Sequence, residues 1–164
     1  MKKFIIAFLL LISYNSFSQV GLKGFSVGGN TTEDKVTTTV GGLPGILTFD
    51  KMNSGKIWKI NFSSSKSYRP DGNQFDKVSF YNDLVQLIDG IEENYTISFK
   101  NSDLVLDQII EVRSLQFSTT KNGIEYDIAT HGKRMGDKEW ISFSIRSIRL
   151  NEIHRNQNPN KHDY

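Results

Sequence analysis

The chain has no cysteine. Disulfides are therefore excluded, and so is the lipidated cysteine that anchors bacterial lipoproteins. It also lacks a long hydrophobic run: the longest apolar stretch, Phe4–Ile12, has nine residues, where a membrane-spanning helix needs about 20. That stretch follows Lys2 and Lys3 and precedes Ser16-Phe17-Ser18, the order of a Sec-type signal peptide cleaved before Gln19. The expectation is a leader over 1–18 and a mature protein that is periplasmic or secreted, with no membrane span or lipid anchor.

An excess of one charge is missing too. The full chain carries 20 Lys+Arg and 18 Asp+Glu, net +2. Without Lys2 and Lys3 the balance is 18 to 18, so most of the pI of 8.7 belongs to the leader. A neutral domain lacks the basic field of a general nucleic-acid binder, and no nucleic-acid partner is expected. Histidine is scarce: His131, His154 and His162 all fall near the C-terminus. None has the i, i+4 spacing with a glutamate that marks a zinc helix, and no metal or other cofactor is expected.

What the sequence does contain is one long amphipathic pattern, Phe75–Ile91. At about 100° per residue, Val78, Phe80, Tyr81, Leu84, Val85, Leu87, Ile88 and Ile91 share half of the helical wheel. A face that wide suits a helix lying across a sheet. The turn Pro70-Asp71-Gly72 and Asn73 as N-cap would start it, and Gly90 with Glu92-Glu93-Asn94 would end it, although two acids there oppose the helix dipole. On this reading Val85→Asp should unfold the domain.

Around the helix the pattern is sheet. Val20–Gly29 reads as a Gly-rich edge strand or extended arm. Asn30-Thr31-Thr32-Glu33 has the form of a cap opening a short helix over 31–40, while the Thr-rich run after it suits a strand; both readings stay open here. Gly41-Gly42-Leu43-Pro44-Gly45 reads as a break. A hairpin centred on Ser54-Gly55 would set Leu47 against Phe62, Phe49 against Ile60 and Lys51 against Trp58. Its other face would carry Thr48 with Asn61 and Asp50 with Lys59. Tyr95, Ile97 and Phe99 alternate as a strand. Asn122-Gly123 signals a type I′ turn, pairing Thr119 with Tyr126, Phe117 with Ile128 and Leu115 with Thr130. Parity slips call for a bulge near Arg113-Ser114 and another irregularity within a last strand, Trp140–Leu150. Residues 151–164 read as a frayed polar tail. Gly29-Asn30…Asp34-Lys35-Val36 echoes Gly72-Asn73…Asp76-Lys77-Val78, a spacing that admits either a duplicated unit or chance.

The fold class implied is α+β: one curved, mainly antiparallel sheet packed on a single long helix, as one domain over 19–150. The element order resembles that of cystatin-like rolls and of small envelope domains of the β-lactamase-inhibitor-protein and outer-membrane assembly lipoprotein type. The lipoprotein members' anchoring cysteine is absent, and no functional residue carries over.

No catalytic constellation emerges. Gly24-Phe25-Ser26-Val27-Gly28 matches G-x-S-x-G, but a nucleophile elbow needs a strand before it, a helix after it and a large parallel sheet. Glu125 and Asp127 share a strand face without any feature that would raise either pKa. The candidate binding residues are Lys133, Arg134 and Trp140, in and beside a Gly-flanked tip, with Arg146 and Arg149 extending a basic surface and Tyr68-Arg69-Pro70 as a second exposed point. The expected function is an exported, non-enzymatic binding or accessory protein with a protein partner in the cell envelope or outside the cell. The alternative is a carrier of a small apolar ligand, in a cavity lined by Phe80, Tyr81, Phe99 and Phe117.

Overall fold

The computed structural model describes residues 20–69, 74–99, 115–131 and 140–158. The leader, the Pro70–Asn73 turn, the Arg113-Ser114 bulge, Lys133, Arg134 and His162 lie outside the described residues. The elements are β1 (Gly21–Leu22), β2 (Phe25–Ser26), β3 (Lys35–Val40), β4 (Leu43–Lys51), β5 (Ile57–Ser64), α1 (Lys77–Tyr95), β6 (Gln116–Lys121), β7 (Ile124–His131), β8 (Trp140–Ser147) and α2 (Ile148–Gln157). β1 and β2 form a small hairpin, and the other strands form an open six-stranded sheet in the order β3-β4-β5-β8-β7-β6. Every pairing in it is antiparallel. The domain is thus α+β with a helix packed on the sheet, and the described residues contain two helices where the sequence suggests a single long one.

Alternation decides which side of the sheet is covered. Leu47, Ile60, Phe62, Ile128, Phe143 and Ile145 are all at most 1% exposed, and they meet Phe80, Leu84, Leu87, Ile88 and Ile91 of α1 in one cluster. The helix stripe is narrower than the wheel suggests. Val85 is only partly buried and Val78 is 56% exposed.

The ends of α1 depart from expectation for identifiable reasons. Its N-cap is Asp76, whose side chain accepts from the Ser79 N–H at 3.0 Å. Those bonds from Ser79 hold the Asp76 carboxyl below its ordinary range. At the other end the helix runs on through Tyr95, so Tyr95, Ile97 and Phe99 are not a strand. Thr96 N–H bonds Glu93 O at 3.3 Å and Ile97 N–H bonds Glu92 O at 3.1 Å, the two bonds of a Schellman cap. The acids that oppose the dipole are answered from outside the helix. Glu92 accepts from the Phe99 N–H at 2.6 Å. Lys121 of β6 places its ammonium 2.7 Å from Thr96 O and 3.2 Å from Tyr95 O, supplying positive charge where the dipole favours it.

Thr96 holds the left-handed conformation at φ 51°, a region in which a β-branched residue is strained. Thr96→Gly is therefore expected to raise stability by about 1 kcal/mol, read as a higher urea midpoint at unchanged m-value.

The hairpins follow the sequence closely. Leu47 pairs with Phe62, Thr48 with Asn61, Phe49 with Ile60 and Asp50 with Lys59. A bulge between Asp50 and Lys51 then shifts the register, so Lys51 meets Ile57 rather than Trp58. Thr119–Tyr126 and Phe117–Ile128 pair about Asn122 and Gly123, both at positive φ. Thr130 Oγ1 and its N–H bond Leu115 backbone at 2.9 Å each, continuing that register.

Residues 35–40 are strand, not helix. The break at Gly41 is a two-residue turn with φ of 54° and 80°, and the strand resumes at once. Pro44 and Gly45 stand inside β4, opposite Thr39 and Thr38 of edge strand β3. The echoed Asp-Lys-Val tripeptides open a strand at Lys35 and a helix at Lys77, so they share no structure.

The C-terminal region is the other correction. β8 stops at Ser147, whose hydroxyl accepts from the Leu150 N–H at 3.2 Å and caps α2. The parity slip at Ile148 and Leu150 is a change from strand to helix, and residues 151–157 continue that helix instead of fraying.

The Gly-rich arm is stapled down. Gly28 N–H bonds Ile57 O and Ile57 N–H bonds Gly29 O, each at 2.8 Å. Phe25 packs on Phe49 with ring centroids 4.6 Å apart. The Tyr95 hydroxyl donates to Gly21 O at 2.6 Å, and burial beside Tyr126 pushes its pKa up to about 12.

Candidate functional site

One face of the sheet is left uncovered by α1, and the strand registers order it into rows. Asp50, Lys59, Arg146, Glu125 and Thr120 stand abreast across β4 to β6. The next row is Thr48, Asn61, Ser144, Asp127 and Ser118, followed by Ile46, Ser63, Ser142, Ala129 and Gln116. Last come Trp140 and His131, directly opposite one another on β8 and β7. Small side chains in the third row (Ser63, Ser142, Ala129) sit beside two large rings in the fourth. The result is a depression of about 430 Å³ between the rings and the Asn61–Asp127 row.

The rings stack at a centroid distance of 4.7 Å and an interplanar angle of 20°. His131 Nε2 lies 3.2 Å from Ser142 Oγ, and Ser142 Oγ donates to Ala129 O, also at 3.2 Å. The Ser142 hydroxyl thus lies within hydrogen-bond distance of both Ala129 O and the imidazole, whose role at Nε2 follows its tautomer. Burial lowers the His131 pKa, with Asp127 opposing the shift, so the stacked ring is uncharged at neutral pH. Asp127 Oδ1 accepts from Gln116 Nε2 at 2.9 Å and from Ser118 Oγ at 2.5 Å. Glu125 binds the Arg146 guanidinium through Nε at 2.9 Å and through Nη2. Arg146 is thus neutralised by its cross-strand neighbour rather than extending a basic surface.

Of the sequence-derived candidates among the described residues, Trp140 falls in this groove; it is partly exposed and paired with His131. Arg149 is exposed on α2. Tyr68 is buried at 1% exposure, edge-on to Phe80 at 4.8 Å, and burial beside Asp83 raises its pKa. It is a core residue, and Arg69 lies over the Phe75 ring at 5.8 Å. His154 stacks on Trp58 at 5.2 Å and 22°, which places it against the domain rather than in a free tail. Gly24–Gly28 spans the β1–β2 hairpin, not a strand-to-helix elbow.

The sequence offers His131 as a possible metal ligand and as the first residue of the tip that leads into Trp140. Its place opposite Trp140 comes from the β7–β8 register. Among the described residues no cluster of His, Asp and Glu is arranged to hold a metal ion. No helix among them is long and apolar enough to cross a membrane.

A second recess of about 370 Å³ lies between the arm and α1, lined by Leu22, Lys23, Val40, Leu87, Asn94 and Tyr95 among others. Of the four rings expected to line an apolar cavity, Phe80, Phe99 and Phe117 are each at most 5% exposed and belong to the core cluster, and Tyr81 is partly buried against it. Comparison of the chain with models of known families, with curated proteins and with solved structures gives no match.

Proposed function

We propose that this chain is an exported, non-enzymatic binding protein that recognises another macromolecule through the polar face of its sheet. The observation that carries the reading is the groove walled by the His131–Trp140 stack. Binding sites concentrate in concave surfaces that combine an aromatic anchor with a few oriented polar groups. A stacked ring pair beside hydrogen-bonding side chains has that composition. The leader pattern at Lys2–Ser18 supports a periplasmic or secreted site of action. The apolar-carrier reading is weakened because three of its four proposed lining rings, Phe80, Phe99 and Phe117, fill the core.

The test is a crosslinking capture with residues 19–164 as bait in an envelope extract of the source organism, run beside Trp140→Ala. The expected result is a saturable partner whose capture falls at least tenfold in the variant while the melting temperature is kept. Equal capture by both proteins would remove the groove as the recognition surface.

A further inference from the structure

We infer that the ligand of this groove is a neutral carbohydrate chain, an inference that rests on the binding reading above. The lining supports it first by charge. Among the described residues its lining holds one cation and one anion, Lys59 and Asp127, with His131 uncharged. Arg146 and Glu125 beside it satisfy each other. A phosphate backbone or polyanion would find no cluster of basic groups among these described residues, and a basic peptide no acidic one.

Polarity narrows the choice further. Asn61, Ser63, Gln116, Ser142 and Ser144 supply amides and hydroxyls that both donate and accept. An apolar ligand would leave them without partners, at about 1–3 kcal/mol for each buried group. A ligand rich in hydroxyls, each a donor and an acceptor, matches them.

The rings supply the remaining element. An aromatic face carries partial negative charge and attracts the slightly positive C–H groups on the flat side of a sugar ring. Such a ring can rest on the Trp140–His131 wall while its hydroxyls reach the serine and amide rows. The row Ser63–Ser142–Ala129–Gln116 crosses four adjacent strands. The strand spacing of about 4.8 Å is close to the length of one pyranose unit. An oligosaccharide laid across the strands therefore meets a polar side chain at three of the four steps, with Ala129 as the gap. Two of the groove's polar side chains are already held in place: Asn61 Nδ2 donates to Asp50 at 3.0 Å and Gln116 Nε2 to Asp127 at 2.9 Å. Asn61 Oδ1 and Gln116 Oε1 make neither of these bonds.

The experiment is titration calorimetry of residues 19–164 with neutral hexasaccharides of glucose, N-acetylglucosamine, xylose, mannose and galactose, each to 10 mM as a rough ceiling for a weak site. At least one should bind saturably, lose tenfold or more in Trp140→Ala, and recover to within a few fold in Trp140→Phe, which restores a ring face. Affinity should be unchanged between low and high salt, because a neutral ligand releases no counterions. Failure of all five sugars, steep salt dependence, or equal affinity in Trp140→Ala would overturn the inference. If the sugars fail while macromolecular capture still depends on Trp140, the carbohydrate assignment falls and the groove remains. If capture is also indifferent to Trp140, both fall.

Discussion

Leu84→Asp should give a protein without a cooperative melting transition and without near-ultraviolet circular dichroism. Leu84 is 0% exposed at the centre of the α1 stripe, between Phe80 and Ile88 and above the core face of the sheet. The substitution removes a buried leucine, about 2–3 kcal/mol of transfer free energy. It also brings a carboxylate into a site where no partner is placed to receive it. Even after relaxation or protonation, such a group costs several kcal/mol. Against a total stability of about 5–15 kcal/mol for a domain of this kind, the sum is enough to unfold it. Val85→Asp, by contrast, should keep the fold. Val85 is partly exposed at the margin of the stripe, so the charge can reach water. A Leu84→Asp variant that melts like the parent would show that α1 does not cover the sheet.

Gly45→Ala is the second large effect. Gly45 lies within β4, and its φ is unexceptional, so the requirement for glycine is one of space. A Cβ there would stand 2.3 Å from Ser63 O and 2.5 Å from Phe62 Cε2. The first is backbone and the second is a ring that is itself 0% exposed. Neither neighbour can retreat without disturbing the β4–β5 pairing. Overpacking of this kind costs about 3 kcal/mol or more, a fall in Tm of about 10 °C. A Tm within about 2 °C of the parent would mean that β4 and β5 can separate locally at no cost.

The central hairpins were legible because short-range rules determined them. Asn122-Gly123 permits few turns other than the one it makes. The alternation Leu47, Phe49 against Ile60, Phe62 has a single register that buries one face. What escaped were features settled by contact rather than pattern. Thr37 to Thr39 form strand because β4 lies beside them, a tertiary demand stronger than their cap-like preface. Ser147 converts strand to helix with one side-chain bond, and a period-2 reading carries straight through it. Tyr68 reads as exposed beside Arg69 and Pro70, yet it is buried against Phe80 from α1. At the groove Trp140 stood out by residue type. Its stacking partner depends on a cross-strand pairing that no local pattern records.

The sheet consists of two three-stranded meanders, β3-β4-β5 and β6-β7-β8, joined only where β5 meets β8. Each meander pairs strands that are adjacent in sequence, whereas the seam brings Ile60 to Ile145, about 85 residues further along. Closing that loop costs about 3 kcal/mol more in chain entropy than closing either tight turn. The seam is therefore expected to form late and to set the folding rate, in milliseconds to seconds, with substitutions at Ile60 or Ile145 slowing refolding more than changes in the turns. Until the two halves join, each meander presents its apolar face to solvent. The length of that interval, rather than the finished fold, governs how long newly made chains remain open to aggregation and proteolysis.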